Sequence, residues 1–281
     1  TVKGKAATCT ATGLTDGKKC SVCGTVTVKQ TTIAKKAHTL TTVKGKAATC
    51  TATGLTDGKK CSVCGTVTVK QTTIAKKAHT YKTTTTKATL TKNGKVVSKC
   101  SVCGNVKSTV TVYYPKTIKL SATKYTYDGK VKSPTVSVKD SKGNTLKKDT
   151  DYTVKYASGR KATGKYSVTV TFKGKYSGTK KLTLTIKPKA PKVTDIYSKT
   201  KGKAVIKWNN VAGESGYQVY YSTSKNGTYK KVKSYATNKT AGSKTKLKSG
   251  KKYCFKVRAY KKTSSGTVYS SWSAVKSVKV K

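Results

Sequence analysis

Apolar and polar residues alternate in short runs along much of the chain. Ser167-Val-Thr-Val-Thr-Phe172 and Leu182-Thr-Leu-Thr-Ile186 are the clearest. A period of two puts one face of an extended segment on a core and the other in water, so these runs predict half-buried strands. Turn chemistry separates them: Tyr127-Asp-Gly129, Asp140-Ser-Lys-Gly-Asn144 and Lys173-Gly174. The pattern predicts an all-β protein. No apolar run nears the roughly 18 residues a membrane-crossing helix requires, so no transmembrane segment is expected.

The runs fall into modules. Residues 1–41 and 42–82 agree at 39 of 41 positions, differing only where Leu40 and Thr41 become Tyr81 and Lys82. A third, divergent copy occupies 83–115 and keeps Lys99-Cys-Ser-Val-Cys-Gly104. Residues 116–188 form a fourth module. Lys187-Pro-Lys-Ala-Pro191 is a linker, because two prolines fix the backbone and remove hydrogen-bond donors. Residues 189–281 form the last module. The expected architecture is tandem small Cys-rich β units followed by two β-sandwich domains. The chain has no Met and begins within a repeat at Thr1, so it reads as a fragment or a processed piece.

Charge changes this picture. Lys and Arg number 61 against 8 Asp and Glu, a formal charge of +53, and hydrophobic residues make up only 35%. That composition leans toward disorder. The regular alternation argues against disorder, but it leaves each module a small core that needs a staple. The excess charge recruits polyanions and repels itself.

Cysteine and histidine supply the staple. Each full repeat carries C-x10-C-x2-C-x14-H: Cys9, Cys20, Cys23 and His38, then Cys50, Cys61, Cys64 and His79. Cys₃His is an accepted structural zinc set, and Cys-Ser-Val-Cys-Gly has the form of a metal knuckle. The third copy has Leu90 at the first Cys position and no His, while keeping Cys100 and Cys103. Joint loss of two residues is what a four-ligand site within each repeat predicts. Zinc would couple metal binding to folding. Disulfides are the alternative, Cys9 with Cys20 or Cys23 and Cys100 with Cys103, although three cysteines per unit fit pairing less neatly. Cys254 lies on an outward position of its strand and is expected to be an incidental surface thiol.

Three resemblances follow from particular residues. Ala204-Val-Ile-Lys-Trp208, Gly216-Tyr-Gln-Val-Tyr-Tyr221, and Leu247 to Tyr253 followed by Phe255, Val257 and Ala259 resemble a fibronectin type III domain with its core Trp and tyrosine corner. Tyr125-Thr-Tyr-Asp-Gly129, Pro134-Thr-Val-Ser-Val138, Asp151 to Tyr156, Gly164 to Val170 and Tyr176-Ser-Gly178 resemble the bacterial immunoglobulin-like repeats of clostridial surface proteins. The N-terminal units look like the small Cys-rich repeats of the same proteins. Together these resemblances imply an extracellular, bacterial cell-surface location.

No catalytic constellation emerges. Asp149 and Asp151 are close in sequence but sit in a polar turn, both His residues fall in tiny repeats, and no phosphate loop is present. A non-catalytic adhesive module is expected, with Lys and Tyr meeting anionic cell-wall teichoic acid or mucin-type or sulfated host glycans. The candidate contacts are Tyr220, Lys225, Tyr229, Lys230, Lys231, Arg258, Lys261 and Lys262. Strand packing is the plainer role for the tyrosines. Nonspecific nucleic-acid binding is an alternative, limited to backbone contact because Arg occurs only at Arg160 and Arg258. A spacer for an enzyme is another. Near-identical neighbouring repeats also invite self-association by strand exchange.

Overall fold

The structure, a computed structural model, describes residues 1–281 and contains no helix. It divides into two compact units. The first comprises residues 1–84 and 97–108, and the second residues 85–96 and 109–281. The third copy is therefore shared between them.

In the first unit each repeat is a set of very short strands. Gly13–Leu14 pairs with Thr32–Ile33 in repeat one, and Gly54–Leu55 pairs with Thr73–Ile74 in repeat two. The Cys-x-x-Cys segment closes a hairpin in each copy: Lys18–Lys19 with Val26–Val28, then Gly58–Cys61 with Val67–Val69. A connecting strand, Leu40–Val43, leaves repeat one and adds to the free edge of Gly58–Cys61 in repeat two. Its register places Leu40 opposite Cys61 and Val43 opposite Gly58. Tyr81–Thr86 adds in the same way to Gly94–Cys100, which pairs onward with Val106–Val112.

Almost nothing large is buried here. Ala7, Cys9, Ala48, Cys50, Cys61 and Cys100 make up the interior. Val26, Val28, Ile33, Val67, Val69 and Ile74 of the strands are exposed, as is Val22 in the first knuckle turn, at 94%. Gly13 and Gly54 admit the backbone so closely that a Cβ at either would lie within 2.5 Å of it. Thiols thus occupy the place that aliphatic side chains usually take.

The second unit has conventional cores. Residues 116–188 build a sandwich from the pair Pro115–Leu120 and Val136–Asp140 and a four-stranded sheet. That sheet runs Lys124–Thr126, Thr179–Lys187, Gly164–Phe172, Tyr152–Tyr156, and its first pair is parallel. Val138, Leu146, Tyr152, Val170 and Phe172 form its core. Leu90 packs against that core. A Cβ on Gly178 would lie 3.1 Å from Leu90 Cγ, so the bare glycine makes room for it. The backbone of Ala88 pairs with Tyr176, donating to Lys175 O and accepting from Ser177. The third copy thereby keys into the sandwich at the position where the other copies carry a cysteine. Asp149, at φ 65°, and Asp151 form a turn: Lys147 N–H donates to the Asp151 carboxylate and Asp149 N–H to Tyr152 O.

The last sandwich sets Val193–Tyr197, Ala204–Trp208 and Ala241–Lys244 against a larger sheet. The larger sheet is ordered Lys230–Ala236, Gly216–Ser222, Lys252–Thr263, Gly266–Tyr269, with Lys276–Lys279 also on Lys252–Thr263. Trp208, Tyr217, Phe255, Val219 and Val257 are among its most deeply buried side chains. Tyr253 Oη accepts from Lys248 N–H at 3.1 Å, which is the expected tyrosine corner. Cys254 corrects an expectation. It faces away from this core, as the alternation requires, yet it is only 5% exposed. Ser222 and Ser277 lie opposite it on the two neighbouring strands, and Lys225 lies close by. Facing outward in a central strand does not mean facing water.

Candidate metal centres

The knuckle of each copy is built the same way. Cys61 N–H donates to Thr66 O at 2.9 Å and Gly65 N–H to Cys61 O at 3.0 Å, with Gly65 at φ 75°. Around Cys100 the same bonds run to Asn105 O and from Gly104, at φ 78°. Only glycine adopts that backbone readily, which is why Gly follows each second cysteine. The turn draws both sulfurs to one side.

Two clusters result: Cys9, His38, Cys61 and Cys64, and Cys50, His79, Cys100 and Cys103. In each, the four ligand atoms lie within 4.8 Å of one another. Cys9 Sγ is 3.9 Å from Cys61 Sγ, and Cys64 Sγ is 3.4 Å from His38 Nδ1. Cys103 Sγ is likewise 3.4 Å from His79 Nδ1. Four bonds of about 2.1–2.3 Å to a tetrahedral ion set sulfurs about 3.8 Å apart, with nitrogen slightly nearer, so the spacing suits such an ion. All nine cysteines are free.

This grouping differs from the set expected within one repeat. Cys9 and His38 meet Cys61 and Cys64 of the next copy, and Cys20 and Cys23 belong to neither cluster. The connecting strand is the reason. It follows His38 directly and docks along the next knuckle, where Thr39 O accepts from both Ser62 N–H and Ser62 Oγ. That contact delivers the imidazole to the neighbour's sulfurs and away from its own. The third copy therefore corrects a second expectation. Cys100 and Cys103 gather with Cys50 and His79 into a cluster that could hold a metal ion.

The thiols are electrostatically unequal. Hydrogen bonds from Cys64 N–H and then from His38 draw Cys61 down to about 6, and Cys103 N–H and then His79 draw Cys100 down to about 5. Contact with Cys64 and then burial push Cys9 up to about 11, and contact with Cys103 and then burial do the same to Cys50. Hydrogen bonds that its ring donates to Cys61 and then Cys64 raise His38. Cys61 and Cys100 thus favour the thiolate, while Cys9 and Cys50 favour the thiol.

The residues expected to meet polyanions lie on strands of the last sandwich's larger sheet or, for Lys225 and Tyr229, in the loop between two of them. Lys225, Lys230, Lys231 and Lys262 are exposed and Lys261 is half-buried. Tyr220, Tyr229 and Arg258 are engaged with one another's neighbours instead. Lys256 Nζ lies 3.8 Å from the Tyr229 ring centre and 4.7 Å from that of Trp272. The Arg258 guanidinium sits 4.6 Å from Trp272 and 3.8 Å from Tyr269, and Gln218 Oε1 accepts two of its hydrogen bonds. Tyr220 meets Trp272 edge-on at 4.9 Å. Lys256, Tyr269 and Trp272 are not singled out by the sequence, because nothing in it shows that segments outside the strands, at Tyr229 and Trp272, fold their rings over the cations of Lys252–Thr263.

No protein-family model matches the chain, and no curated protein matches it. Among solved structures it is similar to a Fn3-like protein from Clostridium thermocellum, with 25% identity over 34% of this chain and 91% of that one and a TM-score of 0.27. It is also similar to a two-domain fibronectin type III segment of chicken tenascin, with 19% identity over 59% of this chain and 99% of that one and a TM-score of 0.39.

Proposed function

We propose that the chain is a non-catalytic extracellular module of a bacterial cell surface. Its repeats are joined by structural zinc, and its lysines hold anionic polymers such as teichoic acid or mucin-type or sulfated glycans. The observation that carries the polymer reading is the shortage of internal counter-charge. Against 61 Lys and Arg residues, only three ion pairs form: Lys44–Asp57, Lys132–Asp128 and Lys148–Asp149. The remaining ammonium groups have no acidic partner inside the chain. A polymer that supplies one anion per unit relieves their mutual repulsion and gains affinity by releasing its counterions.

Zinc is supported by three thiols and an imidazole at tetrahedral spacing, with four protein ligands leaving no open position for catalysis. The exposed Lys225, Lys230, Lys231 and Lys262 are the contacts proposed on the last sandwich, with the stacked rings and Arg258 stiffening the face beneath them.

The test is retention of the purified chain on teichoic acid, sulfated glycan and mucin surfaces across a salt series. Log affinity should fall steeply and linearly with log salt. Competition by duplex DNA at fixed salt separates a glycan or teichoic acid preference from general phosphate binding. A chain that ignores all of these at about 0.15 M salt, where screening reaches about 8 Å, is a spacer instead.

A further inference from the structure

The chain holds three Cys-x-x-Cys knuckles but only two Cys–His donor pairs. The surplus knuckle is that of Cys20 and Cys23, and it is fully formed. Cys20 N–H donates to Thr25 O at 2.8 Å and Gly24 N–H to Cys20 O at 3.1 Å, with Gly24 at φ 73°. Cys23 Sγ lies 3.2 Å from Thr25 Oγ1, the same distance that separates Cys64 Sγ from Thr66 Oγ1. Without a donor pair, it already has the shape of the other two knuckles.

The surface beside it is also prepared. Gly58–Cys61 is paired on both sides, by Val67–Val69 and by the incoming Leu40–Val43. Its counterpart Lys18–Lys19 is paired only with Val26–Val28. Ser62 and Ser101 each bond the carbonyl that follows a donor histidine, Thr39 O and Thr80 O. Ser21, at the same register, has no such carbonyl. Val2 bridges Gly17 as Val43 pairs with Gly58, so the groove for a connecting strand is in register as well.

We infer that Cys20, Cys23 and the open edge of Lys18–Lys19 form the acceptor half of a third metal centre. Its other half is a further unit of this same repeat type, which brings an uncommitted Cys and His and the strand that follows the His. A second copy of this chain does not meet that need. Its Cys9–His38 and Cys50–His79 pairs are already used, and its third unit carries Leu90 in place of Cys and no His.

This inference rests on the zinc reading, and one experiment separates the two. The full chain, loaded with zinc and desalted, should hold two ions. Brief alkylation under native conditions, mapped by mass spectrometry, should label Cys20 and Cys23 and spare Cys9, Cys50, Cys61, Cys64, Cys100 and Cys103. The full chain lengthened at its N-terminus by one more copy of residues 1–41 should hold three ions. Labelling should then move to the added unit's own knuckle, and the double substitution C20S/C23S in that longer chain should return the count to two. Two ions in the longer chain with Cys20 and Cys23 still labelled, or a Cys20–Cys23 disulfide in both chains, overturns the inference and leaves the two internal centres standing. Fewer than two ions in the original chain overturns the zinc reading beneath it.

Discussion

The two compact units solve the same problem with different materials. The second buries Trp208, Tyr217, Phe255, Leu184, Ile186 and a set of valines and is held by their removal from water. The first has strands of similar composition but turns its valines outward and buries alanine and sulfur. Repeats of this size cannot enclose a core large enough to offset the entropy of ordering them. On the zinc reading proposed above, their stability comes from a few strong bonds, which the Cys₃His clusters are spaced to make. The difference teaches that β-strand patterning alone does not reveal what holds a strand in place.

The largest effect that breaks this comparison is metal removal. Structural zinc contributes on the order of 10–16 kcal/mol of apparent binding free energy in small zinc domains. A chelator should therefore melt the first unit, read as loss of amide-exchange protection over residues 1–84, while residues 109–281 stay protected. Equal loss in both units would show that they do not differ as described. The opposite perturbation is Trp208→Ala, which should cost the last sandwich about 3–5 kcal/mol, measured by denaturant midpoint, with the zinc content unchanged.

A smaller effect sharpens the comparison within the second unit. Asp140 is buried, which alone would raise its carboxyl, but bonds from the Asn144 side chain and from the N–H groups of Asn144 and Lys142 outweigh burial and hold it below the usual carboxylate range. A group depressed in the folded state stabilises above its unfolded value, here 3.8, and that contribution is lost as pH falls through the folded one. Asp140→Ala should cost about 1–3 kcal/mol at neutral pH, and acid titration of the variant should show a shallower loss of stability below pH 3.8 than the parent. The smallest expected effect is that of Tyr253→Phe, which removes the corner bond from Lys248 N–H and should cost about 1 kcal/mol by thermal melting.

Much of the second unit was legible. Period-two runs became the strands Gly164–Phe172 and Thr179–Lys187, and the Trp, Tyr and Phe positions of the last module fell where the alternation placed them. The residue types of the Cys₃His clusters were legible too, but which copies they are drawn from was not. In a tandem array of near-identical units, a Cys and a His can meet the knuckle of their own copy or of the next without any change in the sequence. The one informative copy was the third, which keeps Cys100 and Cys103 and lacks the other Cys and the His, the pattern that a cluster drawn from two neighbouring copies allows. Cys254 was misjudged because strand alternation reports the face of a sheet and not what covers it.

Sharing each centre across a joint has a consequence for how such a chain can change length. If a whole copy is deleted or duplicated, the rejoined neighbours still present one pair of donors to one pair of sulfurs, because every joint has the same parts. Gene-level expansion or contraction then costs no unmatched ligand, whereas an insertion that stops partway through a copy strands two of them. Homogenisation of the first two copies, at 39 of 41 positions, is what recombination between interchangeable links would leave behind.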